Sequence, residues 1–561
     1  MALSPKVYTW LCGLFASLGS IIFGYDLGVI AGVTPAPDFV RVMGKHWSNT
    51  NLQGLVVSIF VLGCFFGMIP VAYVADRFGR RKTIQFGAAI YMVGGALQTG
   101  AHNMSMMLAG RFFAGYGVGI MSDLAPLYQA EIAHPSIRGR LTTLQQFMLG
   151  IGAFVASWVT YACTARLAGK PAEWRLPLGI QIIPAIPLFS FILFLPESPR
   201  WLAEHNQPDL ALTTLARLHA NGDTSDPFVV AQMKDIEADL ARSAEIGEAT
   251  WGELFTNRSV FRRVALGYIL QFSVQMTGVS AIQYYSTTIF KTMGFSSTRI
   301  LLFQSINSII ALIGEAACVI WIDATGRRRP MIVGNVVSGF SFVVGSILMA
   351  RWPGTVNNNA VRRSDGHLCA KLSCSLDDRL TMCVLSRFVF AELTVAQIFI
   401  LTTWIFNFFF SACIGPLSWA YPAEIYSTRT RAKATAITSS GSWISNFFIA
   451  QITSPAFNNI GWKFYLVFAI CGNTNALFIW AFYPETTGRR LEEMDALFAD
   501  APLFVPGTPY ARVGDRLAAE RELRSGTVRP GEVTEHAKRG SGAVGDEEAQ
   551  EERKESTEKI E

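Results

Sequence analysis

DRFGRRK at residues 76–82 and DATGRRR at residues 323–329 are two versions of one phrase, and each follows a long apolar run. Two more phrases repeat in the same order along the chain. They are AEI followed by an arginine (130–138 and 423–431) and PE followed by a hydroxyl residue (196–198 and 484–486). Apolar runs that end twice in the same charged phrases predict a duplicated membrane bundle, which makes transport the first function to consider.

Composition supports a membrane protein and argues against several other classes. Of the 561 residues, 51% are hydrophobic and only 16% are charged, which is too apolar for a soluble protein of this size. The net charge of +5 reflects loop orientation in such a chain, so nucleic-acid binding has no support. The sequence contains no nucleotide-binding loop and no cysteine or histidine spacing typical of a metal site. We therefore expect neither an enzyme nor a bound cofactor.

Twelve segments are long and apolar enough to cross the hydrocarbon core, which takes about 20 residues of helix. They lie near residues 8–30, 52–74, 83–101, 106–127, 141–161, 176–195, 262–289, 300–322, 331–350, 395–421, 433–452 and 463–483. The first lacks a cleavage pattern and is expected to be retained as a span. With the N-terminus inside, the basic phrases fall on the cytoplasmic side and both termini are cytoplasmic. The expected fold is an all-α membrane protein with twelve transmembrane helices in two pseudo-symmetric six-helix bundles.

The spans divide the chain into four regions. Residues 1–196 form an N-terminal six-helix bundle and residues 261–498 a C-terminal one. Residues 197–260 carry leucines at helical spacing and predict a cytoplasmic helical linker. Residues 499–561 are rich in Glu, Arg, Gly and Ser and predict a disordered cytoplasmic tail.

The second bundle contains an insertion between two of the repeated phrases. Residues 352–391, which are extracellular in this topology, account for most of it. They hold Cys369, Cys374 and Cys383. An extracellular setting permits a disulfide, for example between the first two, but three thiols leave the pairing open.

These phrases resemble the sugar porter family of the major facilitator superfamily, and the resemblance covers residues 8 to about 498. It is carried by FGYDLGVI (23–30), GR followed by three spaced glycines (110–119), PESPRWL (196–202) and PET (484–486). The insertion and the charged tail resemble fungal members. The resemblance implies a monomer in the lipid bilayer, by default in the plasma membrane, with a central site for a monosaccharide or related polyol that opens alternately to either side.

Charged residues near the repeated phrases predict an inner gate. They are Arg77, Arg81, Glu131 and Arg138 in the first half and Asp323, Arg327, Glu424 and Arg431 in the second. Partial desolvation would strengthen ion pairs there, which would close in the outward-facing state and break in the inward-facing one. The alternative is that these charges only determine the orientation of the spans in the membrane and hold the helix ends together as static ion pairs. Tyr284 and Tyr285 resemble the outer-gate residues of the family.

Six residues are candidates for the substrate site, because a hydroxyl-rich ligand needs amide donors and acceptors and an aromatic face. They are Gln146, Gln271, Gln275, Ser280, Trp419 and Asn446. Gln146, Gln271, Gln275 and Trp419 occupy positions similar to the sugar contacts of the family. The alternative for the glutamines is hydrogen bonding between helices without a role in binding.

Four positions depart from the family pattern and put a typical glucose pose in doubt. Where the family usually has Gln or Asn, this chain has Val274, Ser280, Ala311 and Ser442. Gln283, Asn307 and Asn446 lie one or two turns away and could compensate. Otherwise the ligand is a pentose, a polyol, an acidic sugar or a larger glycoside. Arg111 is the one basic residue found in mid-span, which argues against an acid.

Asp26 and Arg111 predict proton coupling. Asp26 is a carboxylate deep in the first span, and Arg111 at the start of the fourth is its natural partner. A carboxyl group that exchanges between an apolar setting and a nearby cation can bind and release a proton. In proton-coupled sugar porters the equivalent pair does this, so the resemblance implies a symporter with the proton as the co-transported ion. Facilitated diffusion, or a transporter-like sugar sensor, are the alternatives.

Overall fold

A computed structural model describes residues 4–134, 138–246, 250–291, 297–351, 395–427, 430–487 and 494–511. Within these ranges the regular structure is helical, without a β-strand. The predicted insertion at 352–391, with its three cysteines, lies outside the described residues. Residues 512–561 of the predicted tail do so as well.

The first bundle consists of six spans. Span 1 comprises Pro5–Ala16 and Leu18–Val33, span 2 Thr50–Met68 and Val71–Phe78, span 3 Arg80–Thr99, span 4 Met104–Ile132, span 5 Arg138–Leu167, and span 6 Ala172–Ile180, Ala185–Phe191 and Ile192–Phe194. Short helices at Pro37–Met43 and Gly44–Ser48 connect spans 1 and 2. The second segments of spans 2 and 6 begin directly after Pro70 and Pro184, because proline cannot donate the backbone hydrogen bond that would continue the helix.

The second bundle repeats this order. Span 7 comprises Arg258–Gln275 and Val279–Lys291, span 8 Ser297–Thr325, span 9 Arg328–Arg351, span 10 Val395–Phe409, Phe410–Ile414 and Gly415–Ile425, span 11 Arg431–Ile460, and span 12 Lys463–Phe482. Each predicted span is thus a helix, and the expected twelve-helix architecture is confirmed. Several helices run past the predicted limits, since a helix can continue beyond the apolar stretch that the sequence marks.

Nine of the described helices are both long and apolar enough to cross a membrane. Spans 3, 4 and 11 have the length but fall outside that set. Span 4 packs closely against spans 2 and 3, and span 11 against spans 2 and 7. Helices enclosed by other helices need less lipid-facing apolar surface, which accounts for the small and polar residues of spans 4 and 11. Span 3 instead begins with three basic residues, Arg80, Arg81 and Lys82, which lower its mean hydropathy.

The packing of the two bundles is pseudo-symmetric. Span 1 packs on span 5 as span 7 packs on span 11, and span 3 packs on span 4 as span 9 packs on span 10. The bundles meet along two seams, between spans 2 and 11 and between spans 5 and 8. A site on the axis between the seams is therefore lined by both halves of the chain.

Spans 7 and 10 are interrupted at the centre of the second bundle. Span 7 breaks at Gly278, which has φ +92°, and a Cβ atom there would lie 2.8 Å from the rings of Phe342 and Phe468. Only glycine fits both the conformation and the space. Span 10 passes through a π-turn at Phe410–Ile414 before its second segment starts. Such turns often mark functional sites in helices.

Four helices follow span 6, at Pro199–Glu204, Pro208–His219, Pro227–Ile246 and Glu253–Thr256. The first three enclose a small core of their own that includes Leu202, Leu215 and Val229, whereas Leu254 of the fourth is buried in the core of the second bundle. The Thr9 hydroxyl donates to the Leu218 carbonyl at 2.9 Å and so holds this region against span 1.

The tail begins later than predicted. Residues 499–511 pack against the second bundle: Arg262 Nη2 donates to the Pro502 carbonyl at 2.7 Å, and Glu485 N–H donates to the Tyr510 carbonyl at 2.8 Å. Val505 is fully buried. The expectation of disorder from residue 499 is therefore wrong for these residues. The overall polar composition of the segment does not reveal the few apolar residues that are buried against the second bundle.

Candidate functional site

The first repeated phrase forms a buried ion-pair network at one end of the bundle. We call this end, which carries Arg80, Arg81, Arg327 and Arg328, the basic end. Arg80 donates to both oxygens of Glu131, at 3.0 Å from Nε and 3.1 Å from Nη2. Glu197 accepts from the Arg80 backbone N–H at 3.1 Å and so caps the N-terminus of span 3.

The second repeated phrase builds the same unit in the other half. Arg327 donates to Glu424 Oε1 at 3.0 Å from Nε and 2.8 Å from Nη2. Glu485 accepts from the backbone N–H groups of Arg327 at 2.9 Å and Arg328 at 3.1 Å. The sequence repeat is therefore one structural unit used twice.

The glycine in each phrase is required by this unit. Gly79 has φ +92° and Gly326 has φ +84°. A Cβ atom on Gly79 would lie 2.7 Å from Glu197 Oε2, and one on Gly326 would lie 2.5 Å from Glu485 Oε2. The two capping glutamates were not among the predicted gate residues. Their place in the repeated PE phrase is the signal that could have identified them.

The predicted gate residues form pairs within each half. Glu131 pairs with Arg80 instead of Arg77, whose guanidinium donates to the Tyr73 hydroxyl at 3.0 Å. Arg81 pairs with Glu197 at 3.2 Å. Arg431 Nη2 donates to the Tyr426 carbonyl at 3.1 Å. The side chains of Arg138 and Asp323 lie outside the described residues, and the gating role of the whole set stays a prediction.

At the opposite end, hydrogen bonds join the two halves directly. The Ser58 hydroxyl donates to Gln451 Oε1 at 2.6 Å, and Gln451 Nε2 donates to the Asn51 carbonyl at 3.1 Å. The Thr287 hydroxyl of span 7 donates to the Ala31 carbonyl of span 1 at 2.7 Å. The bundle is therefore closed at this end.

Two predicted glutamines connect the interrupted helices at the centre of the bundle. Gln271 is 2% exposed, and its Nε2 donates to the Ser418 carbonyl of span 10 at 2.9 Å. Gln275, one turn later, donates to the Ser442 hydroxyl of span 11 at 3.2 Å and accepts from the Ser280 hydroxyl at 2.6 Å. Ser280 and Ser442, which replace the amides of the family pattern, thus bind Gln275.

The other predicted site residues approach the same region from both halves. Gln146 of span 5 has its Nε2 3.9 Å from an ideal Cβ position on Gly415 of span 10. Trp419 lies one turn beyond Gly415 on the same helical face and is 38% exposed. Asn446 of span 11 lies one turn beyond Ser442 and is buried. The structure therefore places the predicted set around spans 5, 7, 10 and 11.

Several buried polar atoms in this region have no hydrogen-bond partner among the described residues. They are Gln271 Oε1, Asn307 Oδ1, Glu315 Oε2 and Asn446 Oδ1. Buried polar groups in native proteins are almost always paired, and although unpaired ones occur elsewhere in the described residues, these four lie on the spans that carry the predicted substrate residues or on span 8 beside them. A ligand rich in hydroxyl groups would supply the missing donors.

Asp26 and Arg111 form an ion pair inside the first bundle, as predicted. Arg111 Nη1 donates to Asp26 Oδ1, and both side chains are fully buried. Arg111 Nε also donates to the Val56 carbonyl at 3.1 Å, and its guanidinium lies 4.5 Å from the centre of the Phe60 ring. Asp26 Oδ2 and Arg111 Nη2 have no partner among the described residues. The Val56 carbonyl and the Phe60 ring fix the guanidinium, and each member of the pair can form one more hydrogen bond.

Glu315 and Asp123 are two further carboxyl groups that lie away from the ends of their spans, and neither was predicted from the sequence. Glu315 of span 8 is 5% exposed, and its carboxyl group packs against Gly150 of span 5. Asp123 of span 4 is partly exposed. The signal was available, because an acidic residue in the middle of an apolar run is a candidate functional residue by default.

Comparison with known proteins agrees with this architecture. The family model described as "Sugar (and other) transporter" matches residues 12–361 and 374–498. A glucose transporter of the major facilitator superfamily from Aspergillus flavus is 32% identical over 528 residues, which cover 92% of this chain and 94% of that protein. A quinate permease from Neurospora terricola is 28% identical and covers 89% of this chain and 91% of its own length.

The fold also matches solved structures. The proton:xylose symporter XylE of E. coli, bound to 6-bromo-6-deoxy-D-glucose, superposes with a TM-score of 0.70 at 24% identity. The match covers 88% of this chain and 99% of XylE. At this identity the likeness supports the fold alone.

Proposed function

The chain belongs to the sugar transporter family of the major facilitator superfamily, and on that premise we propose that it carries a neutral monosaccharide or polyol across a membrane together with a proton. It is a multi-pass membrane transporter and not an enzyme. We place the basic end in the cytosol, because basic residues concentrate on the cytoplasmic side of membrane proteins. Both termini are then cytoplasmic, and the plasma membrane is the proposed location.

The observation that carries this proposal is a set of buried polar atoms without a partner among the described residues on spans 7, 8 and 11 of the second bundle, of which spans 8 and 11 form the seams with the first bundle. Gln271 Oε1 lies on the first segment of span 7, before its break at Gly278, and Asn307 Oδ1 lies on span 8, at the seam with span 5 of the first bundle. A hydroxylated ligand between the halves would contact both, and it would have to be released when the halves separate. Binding at such a shared surface is what alternating access requires.

The similar proteins do not indicate whether the substrate of this chain is neutral or acidic. The Aspergillus flavus relative is a glucose transporter, whereas the Neurospora terricola relative is a quinate permease. Arg111, in mid-span 4, is fully buried and already pairs with Asp26 and the Val56 carbonyl, while its Nη2 has no partner among the described residues. A substrate carboxylate would have to compete with Asp26 for this guanidinium, which favours a neutral ligand.

Proton coupling is proposed from the Asp26–Arg111 pair. A fully buried carboxylate next to an arginine changes its affinity for a proton when the pair separates, because the pairing stabilises the charged form and burial disfavours it. A conformational change that moves span 1 relative to span 4 would therefore bind or release a proton. XylE is named as a proton symporter, and facilitated diffusion is the alternative for this chain.

The test is uptake by purified protein in liposomes, using labelled hexoses, pentoses, polyols and sugar acids. We expect one or more neutral compounds to enter, and an inward proton gradient to drive accumulation above equilibrium. Entry that merely equilibrates with or without the gradient would establish facilitated diffusion. If no compound in the panel moves, the proposed substrate class is wrong.

A further inference from the structure

Glu315 is a buried carboxyl group on the seam between the two halves. It belongs to span 8 of the second bundle, and its carboxyl group packs against Gly150, one turn after Gln146, on span 5 of the first. Only 5% of the residue is exposed, and Oε2 is buried without a partner among the described residues. Within the same part of the chain, no lysine, arginine or histidine pairs with it.

The backbone around Glu315 leaves space for the carboxyl group. Gly150 follows Gln146 by one turn of span 5, and an ideal Cβ atom there would lie 2.9 Å from Glu315 Cδ. Any larger residue would push the carboxyl group away. Gln146 itself also reaches Gly415 at the break in span 10. Glu315 is thus positioned at the junction of spans 5, 8 and 10, where the predicted substrate residues meet.

Glu315 also lies next to one of the positions where the chain departs from the family pattern. Ala311 stands where that pattern has an asparagine, and residues four apart share one face of a helix. The chain has therefore lost an amide on this face and carries a carboxyl group one turn nearer the basic end. A role in helix packing alone would not account for a carboxyl oxygen that is buried without a donor.

We propose that Glu315 is a substrate-binding residue that accepts hydrogen bonds from two adjacent hydroxyl groups of a neutral sugar or polyol and excludes sugar acids. This inference rests on the proposed function and deepens it. A carboxylate has two acceptor oxygens, which match the hydroxyls on neighbouring carbons of a sugar. A substrate carboxylate beside it would find no cation to pair with among the described residues, which disfavours sugar acids. Gln146 would donate to the ligand while keeping the carboxyl group in place.

The experiment compares wild type with Glu315→Gln, which keeps the size of the side chain and removes its charge. We expect the KM for the best neutral substrate to rise about tenfold, because a hydrogen bond to a charged acceptor is lost. We also expect quinate, gluconate and galacturonate to inhibit the variant several-fold better, relative to the neutral substrate, than they inhibit wild type. Asp209→Asn removes an exposed carboxyl group outside the spans and should leave this ratio unchanged.

A second variant keeps the result interpretable if Glu315→Gln folds poorly. Ala311→Asn combined with Glu315→Ala returns an amide to the same face of span 8. It should transport the neutral substrate better than Glu315→Ala alone and should not regain the exclusion of sugar acids. Surface yield and thermal stability in detergent report folding for each variant.

The possible outcomes separate this inference from the proposed function. If wild type transports a neutral compound but Glu315→Gln changes neither its KM nor the inhibition by acids, the inference fails and the function stands. If Glu315→Gln keeps the KM and loses only proton-driven accumulation, Glu315 binds a proton and not the substrate, which also overturns the inference. If wild type transports no compound of the panel, the proposed function itself fails.

Discussion

Neutralising the central glutamate of each repeated network should destabilise the two halves unequally. Glu131→Gln and Glu424→Gln remove the same charge from equivalent positions, so each is the control for the other. In the first half, Arg80 and Glu131 are 6% and 9% exposed, whereas Arg327 and Glu424 are 14% and 26% exposed. The first pair is therefore much better shielded from solvent.

The expected size of the effect follows from this burial. Removing one partner of a buried pair costs about 3–5 kcal/mol because it leaves an uncompensated charge. Glutamine retains one acceptor, and Arg80 keeps its bond to the Ala75 carbonyl at 3.1 Å. We therefore expect Glu131→Gln to lower the free energy of unfolding by about 3 kcal/mol. For Glu424→Gln we expect about 1 kcal/mol, since solvent screens that pair more strongly.

The assay is reversible unfolding in mixed micelles, followed by tryptophan fluorescence. Raising the salt concentration should reduce the cost of Glu424→Gln more than that of Glu131→Gln, because exposed pairs are screened first. Equal losses for the two variants, or a larger loss for Glu424→Gln, would refute the argument from burial.

Three further predictions follow from the fold. Gly278→Ala should lower the free energy of unfolding by about 1–3 kcal/mol, because alanine is strained at φ +92° and its Cβ would lie 2.8 Å from two phenylalanine rings. A melting temperature equal to that of wild type would contradict this prediction. Thr287→Val removes the hydrogen bond to the Ala31 carbonyl and should shift the population toward opening at this end about fivefold, measured as alkylation of a nearby cysteine; unchanged labelling would contradict it. Truncation after Ala511 should leave stability unchanged, whereas truncation after Asp500 should lower it, because the segment between them packs on the second bundle; equal melting temperatures would show that the segment does not contribute.

The architecture could be predicted because it depends on averages over many residues. Hydropathy over about 20 residues located the spans, and the repeated phrases showed that the chain is built from two related halves. The repeat also predicted a recurring charged unit. What it could not show was the pairing, because Glu131 reaches Arg80 and not Arg77 only once spans 3 and 4 are packed.

The candidate site was predicted in part. Polar residues inside apolar spans, such as Gln271 and Gln275, must face the interior, and the structure places them there. The hydrogen-bond partners of these glutamines depend on the breaks in spans 7 and 10. Hydropathy averaged over a window of the sequence does not reveal such breaks. Glu315 was missed because span 8 remains apolar as a whole even with one acidic residue.

The most direct test of the proposed coupling is solute accumulation by Asp26→Asn in liposomes, measured beside counterflow exchange of the same solute. Asp38→Asn, which removes a carboxyl group of the same half outside the spans, is the control. Our account predicts that a proton gradient drives accumulation by wild type and Asp38→Asn, and that Asp26→Asn exchanges solute without accumulating it. Accumulation by Asp26→Asn at the wild-type level would contradict a proton-carrying role for the Asp26–Arg111 pair.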